Sequence, residues 1–590
     1  MNLSKIPVVR HVAQQILNFE IKHIVICPGS RNAPLTLSLT THPEFSTYSV
    51  VDERSAGFFG LGLSQQLNEP VVLLCTSGSA LLNFYPAVAE AFYSRIPLLV
   101  ISADRPTYQI DIGNGQTIRQ NNVFSNHIVF QTSLHQDVIH QTTSILESNT
   151  QDLLPSNPTK SQIEDYQEKV DHSNEQKLTE ALHNLISKKG PVHINIPIEE
   201  PLYEFQEIQN LIARKKKVKL HSESTDFSPF VKSWNEANKI IILVGTLPPN
   251  KMSEKTISFL SNDTRVAVLH EISSNIHDNH FISHIDRLII PIEKQTDCQE
   301  IFESLSPELL ISIGGMVVSK KIKTMLRKYP PKEHIHIGEE VPYDTYYLGV
   351  KHLNTDINDF FDKVKPPSEN IYTFQKDWNF LSQKREVAHQ KFVKKVPYSD
   401  FSVFSKLIKS IPRNLTIQWA NSSPIRYAQL FEKPLDSESF CNRGTSGIEG
   451  SISTAVGAAV VTVRQTLMIT GDLSFFYDAN ALWNSHLPKS FRLIVINNGG
   501  GGIFRILPKA KESPGFETFF ETKHKRTAKQ MAKQYGLSYK SVRGRIGLQW
   551  ALRRFFSASN RPKLLEIHTP SNKNDEVLMS YFSFLSKHSD

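Results

Sequence analysis

Short apolar runs rich in Val, Ile and Leu recur along this chain, each ending at small or polar residues and each followed by a helical pattern. "HIVICPGSRNAPLTLSL" gives strand, loop and helix, and "TYSVVDERSAGFFGLGLSQQ", "PVVLLCTSGSALLNFYPAVAEAF" and "PLLVISADRP" repeat the order. A strand that is apolar on both faces must be covered on both, and the helix between successive strands provides the cover. The pattern therefore predicts a parallel sheet flanked by helices. "GPVHINIPIEEPLY", Gly190 to Tyr203, reads as a closing strand leading out of this first block. Residues 132–180 are rich in Gln, Ser, Thr, Asn and His and weak in periodicity, which suggests a surface insertion that is partly helical.

The alternation resumes twice. "KIIILVGTLPPN", "RVAVLHEISSN", "ELLISIGGMVVSKKIKTML" and "EHIHIGEE" form a middle block. "NLTIQWANSSP", "TLMITGDLS", "FRLIVINNGG" and "KLLEIHTP" form a last one, beginning near residue 370. The expected fold is α/β, with three consecutive domains, each a mainly parallel sheet flanked by helices. They span residues 1–200 (with the insertion at about 132–180), 201–370 and 371–590.

Composition narrows the function. The 590 residues are 39% hydrophobic and 21% charged, as in ordinary soluble domains. No apolar run approaches the roughly 20 residues that span a bilayer. The opening stretch runs straight into a strand without a signal peptide's apolar core, so a cytoplasmic location is expected. Four cysteines (Cys27, Cys75, Cys298 and Cys441) are scattered without CxxC spacing and read as free thiols of a reducing compartment. The net charge of +8 is mild for this length. The one dense basic run, "RKKKVKL" from Arg214 to Leu220, is short and lacks interleaved aromatics. It reads as a solvated linker, which leaves no nucleic-acid partner and no stable membrane association.

In open parallel sheets ligands bind beyond the carboxyl ends of the strands. There, Asp472 follows "TLMIT" and Asn497 and Asn498 follow "FRLIVI", with 26 positions from Asp472 to Asn498. If the two strands are neighbours, the carboxylate, an amide oxygen and a backbone carbonyl from "GGGG" face one point. Such hard oxygen donors in a partly open shell suit Mg²⁺ holding a diphosphate, and glycines let the backbone approach phosphates closely. Either loop alone would be an ordinary capping Asp or an Asn-Gly turn. "GTLPPN" and "GGM" also end strands, but neither is a GxGxxG opening a helix, so they read as structural loops.

The GD…NN spacing and the three-block layout resemble those of the thiamine-diphosphate decarboxylase and synthase superfamily. "CPGSRNAPL", "DERSAGFFGLGL", "TSGSALLNFYPAVAEA", "ISADRP", "GNGQTIRQ", "NRGTSGIEG" and "GDLSFFYDANAL" resemble the MenD family more specifically, the 2-succinyl-5-enolpyruvyl-6-hydroxy-3-cyclohexene-1-carboxylate synthases of menaquinone biosynthesis. The likeness covers the chain apart from residues 132–180. It implies decarboxylation of 2-oxoglutarate on thiamine diphosphate and Stetter-like addition of the succinyl carbanion equivalent to isochorismate. It also implies a pyrimidine-binding first domain, a central domain and a diphosphate-binding third domain.

By resemblance the catalytic set is Glu53, Arg31 and Gln116. Glu53 would hydrogen-bond the aminopyrimidine N1′ and control its tautomer. The cation, Mg²⁺ or Mn²⁺, would rest on Asp472, Asn498 and Gly500, with Gly500 assigned by counting from Asn498. The cofactor would meet Glu53, Gly447, Ile448, Asp472, Leu473, Ser474, Asn498, Gly500 and Ile503. Ile448 is the large apolar residue expected beneath the bent cofactor. The substrates are dianions, and arginine's planar fork can bond both oxygens of a carboxylate. Ser30, Arg31, Arg105 and Gln116 would hold isochorismate, and Lys320 and Lys321 would approach it from the central domain. Arg426 and Arg443 would hold the 2-oxoglutarate-derived carboxylate, and Ile503, Phe504 and Leu507 would form an apolar wall. "GDLS" lacks the Gly that many relatives carry after the Asp, and no HH pair of the simple decarboxylases is present; both departures match the MenD pattern. Superfamily sites lie between subunits, which implies a homodimer at least and a homotetramer as the fuller assembly. Two other readings remain: another 2-oxo-acid carboligase or decarboxylase on the same cofactor, such as an acetolactate synthase relative, and a non-catalytic regulatory protein of the same fold.

Overall fold

The computed structural model describes residues 2–148, 153–207, 211, 213–214, 216, 226–339, 341–366, 372–434, 436–507 and 509–588. Within the basic run from Arg214 to Leu220, Arg214 and Lys216 are described; the linker reading of the remainder lies outside the described residues. The backbone N–H groups of Arg214 and Lys216 bond Asn18, at its side-chain and main-chain oxygens respectively.

Three parallel sheets carry the fold. The first has the order Ser46–Ser49, His23–Ile26, Val71–Cys75, Leu98–Asp104, Val192–Pro197, Phe130–Ser133. The central sheet runs Val266–His270, Ile240–Val244, Leu309–Ile313, Glu333–Ile337, Lys351–Leu353. The third runs Glu438–Phe440, Thr416–Trp419, Thr466–Gly471, Arg492–Asn497, Lys563–His568, Ser538–Arg543. A two-stranded antiparallel ribbon pairs Asn2–Ser4 with Phe205–Glu207. Every residue of Val71–Cys75, Leu98–Asp104, Ile240–Val244 and Arg492–Asn497 is buried, which explains the apolar runs that each contains.

Four of the six edge strands escape that signal. Phe130–Ser133 and Ser538–Arg543 are part-exposed and polar, and Lys351–Leu353 and Glu438–Phe440 have three residues each. The strand within "GPVHINIPIEEPLY" does not close its sheet, because Phe130–Ser133 pairs outside it. The polar stretch 132–180 holds most of a 29-residue helix, Lys160–Lys188, opened by a capping box at Thr159 and Gln162. Its first buried residues are Gln167 and Asn174. Gln167 Oε1 accepts from the Val138 N–H (2.8 Å), and Asn174 exchanges two bonds with the His135 backbone (2.7 and 2.9 Å). This helix packs through amides before it packs through Leu178, Leu182 and Leu185, so apolar periodicity is absent where it begins.

The chain divides into two compact units. One comprises 1–221, 444–463 and 478–488, and the other 222–443, 464–477 and 489–590. The first holds the first sheet together with helix Ser451–Val461; the second holds the central and third sheets. In the central sheet the topological switch lies between Ile240–Val244 and Leu309–Ile313. Backbone closes this crevice: the Gly245 N–H bonds Ile313 O (3.0 Å), and the Gly315 N–H bonds Thr246 O (2.7 Å). A Cβ on Gly245 would collide with the Gly315 carbonyl oxygen. No helix among the described residues is long and apolar enough to cross a membrane. Cys27, Cys75, Cys298 and Cys441 form no disulfide among the described residues.

In the first unit, helices Glu53–Leu67 and Ser451–Val461 meet backbone to backbone. A Cβ on Gly62 would strike the Thr454 carbonyl, and one on Gly457 the Phe59 carbonyl. Backbone cannot yield as a flexible side chain would. Gly457→Val is expected to cost about 1–3 kcal/mol or more, by analogy with overpacked cores. The cost would be read as a lower midpoint in urea unfolding; an unchanged midpoint would show that the two helices do not pack this closely.

Candidate active site

The third sheet brings together the two loops that the sequence singled out. Strands Thr466–Gly471 and Arg492–Asn497 are adjacent and parallel, with Gly471 opposite Ile496, so Asp472 and Asn497–Asn498 leave the same sheet edge side by side. Asp472 is 2% exposed. Its Oδ2 accepts from the N–H groups of Gly499 (2.7 Å) and Gly500 (3.0 Å), and its Oδ1 from Leu473 N–H (2.7 Å). His524 Nε2, buried without a hydrogen-bond partner, stands 3.4 Å from Oδ2. Gly499 and Gly500 have φ of 79° and 152°, the region that favours glycine, and a Cβ on Gly500 would lie 2.5 Å from Glu521 O. Ser474 is buried one residue past Leu473.

Asn498 is oriented from behind. Its Nδ2 donates to Asp400 Oδ2 (3.0 Å), and Asp400 Oδ1 accepts from the Thr569 hydroxyl (2.5 Å). Burial pushes the Asp400 carboxyl up to about 6, against the pull of its bonds to Thr569 and Asn498 and with help from the nearby Asp472 charge. With the amide nitrogen committed, the Asn498 oxygen is the atom left to face a cation. Carboxylate, amide oxygen and a glycine carbonyl are the hard donors that Mg²⁺ takes, so the residues present fit the ion. Among the described residues no cluster of three His, Cys, Asp or Glu side chains offers another metal site.

In the first unit Glu53 occupies the first turn of helix Glu53–Leu67, half-buried. Asp52 caps the helix through Ser55 N–H (3.2 Å) and accepts from Asn480 Nδ2 (2.7 Å). Burial raises the Glu53 carboxyl above its ordinary range, and Asp52 adds to the rise. The loop bearing Gly447 and Ile448, both half-buried, is anchored by a carboxylate that the sequence reading passed over. Glu90, 1% exposed, accepts from Gly444 N–H (2.7 Å), Thr445 N–H (2.6 Å) and the Thr445 hydroxyl (2.9 Å). Asp478 does the same for Ile452 and Ser453 N–H at the head of the following helix (2.7 and 2.8 Å).

Ser30, Arg31, Arg105 and Gln116 all reach the carboxyl end of the first sheet. Arg31 is 3% exposed; it donates to Ile198 O and to Glu200 Oε1, both at 2.9 Å. Arg105 donates to Ser77 Oγ (3.2 Å) and Gly115 O (3.3 Å). Burial first, then the neighbouring Arg105, lowers the Arg31 pKa, so the two guanidiniums share one locale. Gln116 is exposed at φ 55°, its carbonyl packed on Gly78, and Ser30 is exposed.

In the second unit Arg426 lies on helix Ser423–Ala428, behind Ser422 at φ 71°, and Arg443 donates to Asn421 Oδ1 (2.7 Å). The basic pair fares differently. Lys320 is exposed and Lys321 pairs with Glu293 (2.5 Å), whereas Lys323, one turn on, has Glu271, Arg443, Arg327 and Arg426 as its charged neighbours. Ile503 and Phe504 are half-buried in a 3₁₀ turn, Gly502–Ile506, with Phe504 against the Phe520 edge; Leu507 is exposed. Glu90, Asp400 and Lys323 are the residues that the sequence reading missed. Glu90 stands within "TSGSALLNFYPAVAEA", but nothing local marks its role or that of Asp400, because both act through backbone or amide groups far away in sequence.

Three parallel sheets flanked by helices are the fold of the thiamine-diphosphate-dependent enzymes, and the family matches place the chain in that class. Residues 7–134 match the family described as thiamine pyrophosphate enzyme, N-terminal TPP binding domain, and residues 423–567 match the C-terminal TPP binding domain. A solved benzoylformate decarboxylase from Polynucleobacter necessarius shares the fold, with a TM-score of 0.65 at 13% identity, covering 96% of this chain and 98% of that one. A 2-succinyl-5-enolpyruvyl-6-hydroxy-3-cyclohexene-1-carboxylate synthase from Christiangramia forsetii is 46% identical over 590 residues, 99% of this chain and all of the relative. Proteins of the same name from Flavobacterium psychrophilum and Porphyromonas gingivalis are 44% and 36% identical, over 99% and 96% of this chain and 100% and 95% of their own lengths. The chain belongs to this synthase family of thiamine-diphosphate-dependent transferases.

Asp400→Ala is expected to free the Asn498 amide and weaken Mg²⁺-dependent thiamine diphosphate binding about 10- to 100-fold, the usual cost of losing a ligand's supporting bond. Calorimetric titration checks it; unchanged affinity would remove Asp400 from the site.

Proposed function

We propose that this enzyme decarboxylates 2-oxoglutarate and joins the succinyl fragment to isochorismate by 1,4-addition. The products are carbon dioxide and 2-succinyl-5-enolpyruvyl-6-hydroxy-3-cyclohexene-1-carboxylate, a step of menaquinone biosynthesis. The observation that carries the reading is the combination of an oxygen donor set at Asp472 and Asn498 with two separate arginine groups, in a chain 46% identical along its length to a synthase of that name. Small monoanionic substrates would not require so many cations at strand-end loops.

Thiamine diphosphate, when bound, supplies the nucleophilic carbon and the electron sink. The chain's residues bind and orient. Asp472, Asn498 and the Gly500 carbonyl hold Mg²⁺, with Mn²⁺ as a substitute, and Leu473 and Ser474 lie beside the diphosphate. The Glu53 carboxyl holds a proton toward the aminopyrimidine ring; its raised pKa favours keeping that proton at the carboxyl oxygen until the ring nitrogen shares it. Gly447 and Ile448 support the cofactor, and Ile503, Phe504 and Leu507 exclude water from the reacting carbon. Arg426 and Arg443 take the remote carboxylate of 2-oxoglutarate. Ser30, Arg31, Arg105 and Gln116 take isochorismate, with Arg31 and Gln116 nearest the chemistry and Lys320 and Lys321 approaching from the central domain. The division into a pyrimidine-binding domain (1–200), a central domain (201–370) and a diphosphate-binding domain (371–590), a cytoplasmic location and assembly as a homodimer or homotetramer with sites between subunits complete the proposal.

The test combines purified protein, thiamine diphosphate, Mg²⁺ and 2-oxoglutarate, with and without isochorismate, and follows carbon dioxide and isochorismate loss. Carboligation confined to pyruvate would overturn the substrate assignment, and cofactor binding without turnover would overturn the activity. Glu53→Gln should retain cofactor affinity while turnover falls by about 10²–10⁴, the range of general acid–base catalysis. Chelation with EDTA should release the cofactor and abolish turnover, with Mg²⁺ restoring both, and Asp472→Ala should remove that rescue. Unimpaired Mg²⁺ rescue in that variant would place the cation elsewhere.

A further inference from the structure

Helix Lys320–Lys328 is held at its head by two acids of the second unit. Glu271, 1% exposed, accepts from the N–H groups of Val318 (2.6 Å) and Ser319 (2.7 Å), and Asp286 accepts from the Ser319 hydroxyl. Ser319 in turn caps the helix through Ile322 N–H (3.2 Å). Val318 belongs to the apolar core that includes Ile417 and Trp419 of the third sheet and Ile425 of the helix bearing Arg426. The head of the lysine helix is therefore fastened by polar bonds to Glu271 and Asp286, and its Val318 shares an apolar core with the helix bearing Arg426.

Three cations meet at this seam. Lys323 lies within electrostatic range of Glu271, Arg443 and Arg426, and Arg426 within range of Asp286, Arg443 and Glu271. The two acids are already engaged by backbone and hydroxyl donors. Arg443 has Asn421. Among the described residues neither the half-buried Lys323 ammonium nor the Arg426 guanidinium has a hydrogen-bond or ion-pair partner. By contrast, Lys321 on the same helix is paired with Glu293. A part-buried cation without a partner is costly, and the cost is relieved when an anion arrives. Burial, and after it the positive neighbours Arg443, Arg327 and Arg426, lowers the Lys323 pKa despite the raising influence of Glu271, as expected for a site short of negative charge.

We propose that Lys323 is a third cationic contact for the remote carboxylate of the dicarboxylic 2-oxo-acid substrate, beside Arg426 and Arg443, and sets the preference for a dianionic donor. The proposal rests on the assignment of Arg426 and Arg443 to that carboxylate. Lys323, rather than the Lys320–Lys321 pair, is then what the central sheet contributes to the donor pocket.

The test compares wild type with Lys323→Met, which keeps the length and removes the charge, and with Lys323→Gln, a polar fallback should the Met variant fold poorly. KM is measured for 2-oxoglutarate and for 2-oxopentanoate, the same chain without the second carboxylate. Loss of one charge-assisted bond predicts a rise in KM for 2-oxoglutarate of roughly 10- to 100-fold, with little change for 2-oxopentanoate. Binding of glutarate, which cannot react, is titrated calorimetrically in parallel and should weaken by a similar factor. Equal KM values and equal glutarate affinity in wild type and both variants would overturn the proposal. If the wild type does not turn over 2-oxoglutarate, the proposed function fails, while the glutarate titration still decides whether Lys323 takes a carboxylate.

Discussion

A buried carboxylate gripping the backbone of a distant loop is the interaction on which the functional part of this molecule depends. Asp472 holds Gly499 and Gly500; Glu90 holds Gly444 and Thr445; Asp478 holds Ile452 and Ser453; Glu271 holds Val318 and Ser319. Each acid would be expensive to bury alone, and each is offset by two or more N–H donors. The segments they fasten carry or adjoin the residues assigned to cofactor and substrate. Loops at strand ends are otherwise the most mobile part of an α/β domain, so fixing their backbones to rigid helices and strands gives the site its geometry.

Arginines divide along the same physical line. Arg492 is 1% exposed and donates to the carbonyls of Phe555, Lys489, Phe491 and Ser557; Arg265 is 3% exposed and bonds Asp263, Trp234 O and Ala237 O. Their donors are consumed, and their work is structural. Arg426 has none of its donors consumed among the described residues, and Lys323 beside it is in the same state. Charge that the fold leaves unpaired near a strand edge is charge available to a ligand, whereas burial with every donor satisfied marks a strut.

Much of the architecture was legible because fully buried parallel strands must be apolar throughout. Each expected central strand is present, from His23–Ile26 to Lys563–His568. Two of the edges were not legible: Phe130–Ser133 and Ser538–Arg543 are polar because one flank meets solvent, and so they resemble loops. Helix Lys160–Lys188 was obscured for a related reason, since Gln167 and Asn174 occupy positions where apolar residues would have shown the period. For the site, the Asp472–Asn498 spacing could be read because both residues sit directly at the ends of adjacent strands. Asp400 and Glu90 could not, because their partners lie 98 and 354 or more positions away.

The sequence by itself determined the kind of sheet, the number of strand–helix blocks, and the residues that leave strand ends carrying charge or glycine, because burial and turn geometry act over a few residues and leave a local trace. The tertiary structure alone decided which loops share an edge, which acids hold them, and which lysine of "SKKIK" has the arginines among its charged neighbours. Those outcomes depend on strand order and on one turn of helix, since a residue three positions along points nearly the same way but sits about 4.5 Å further down the axis.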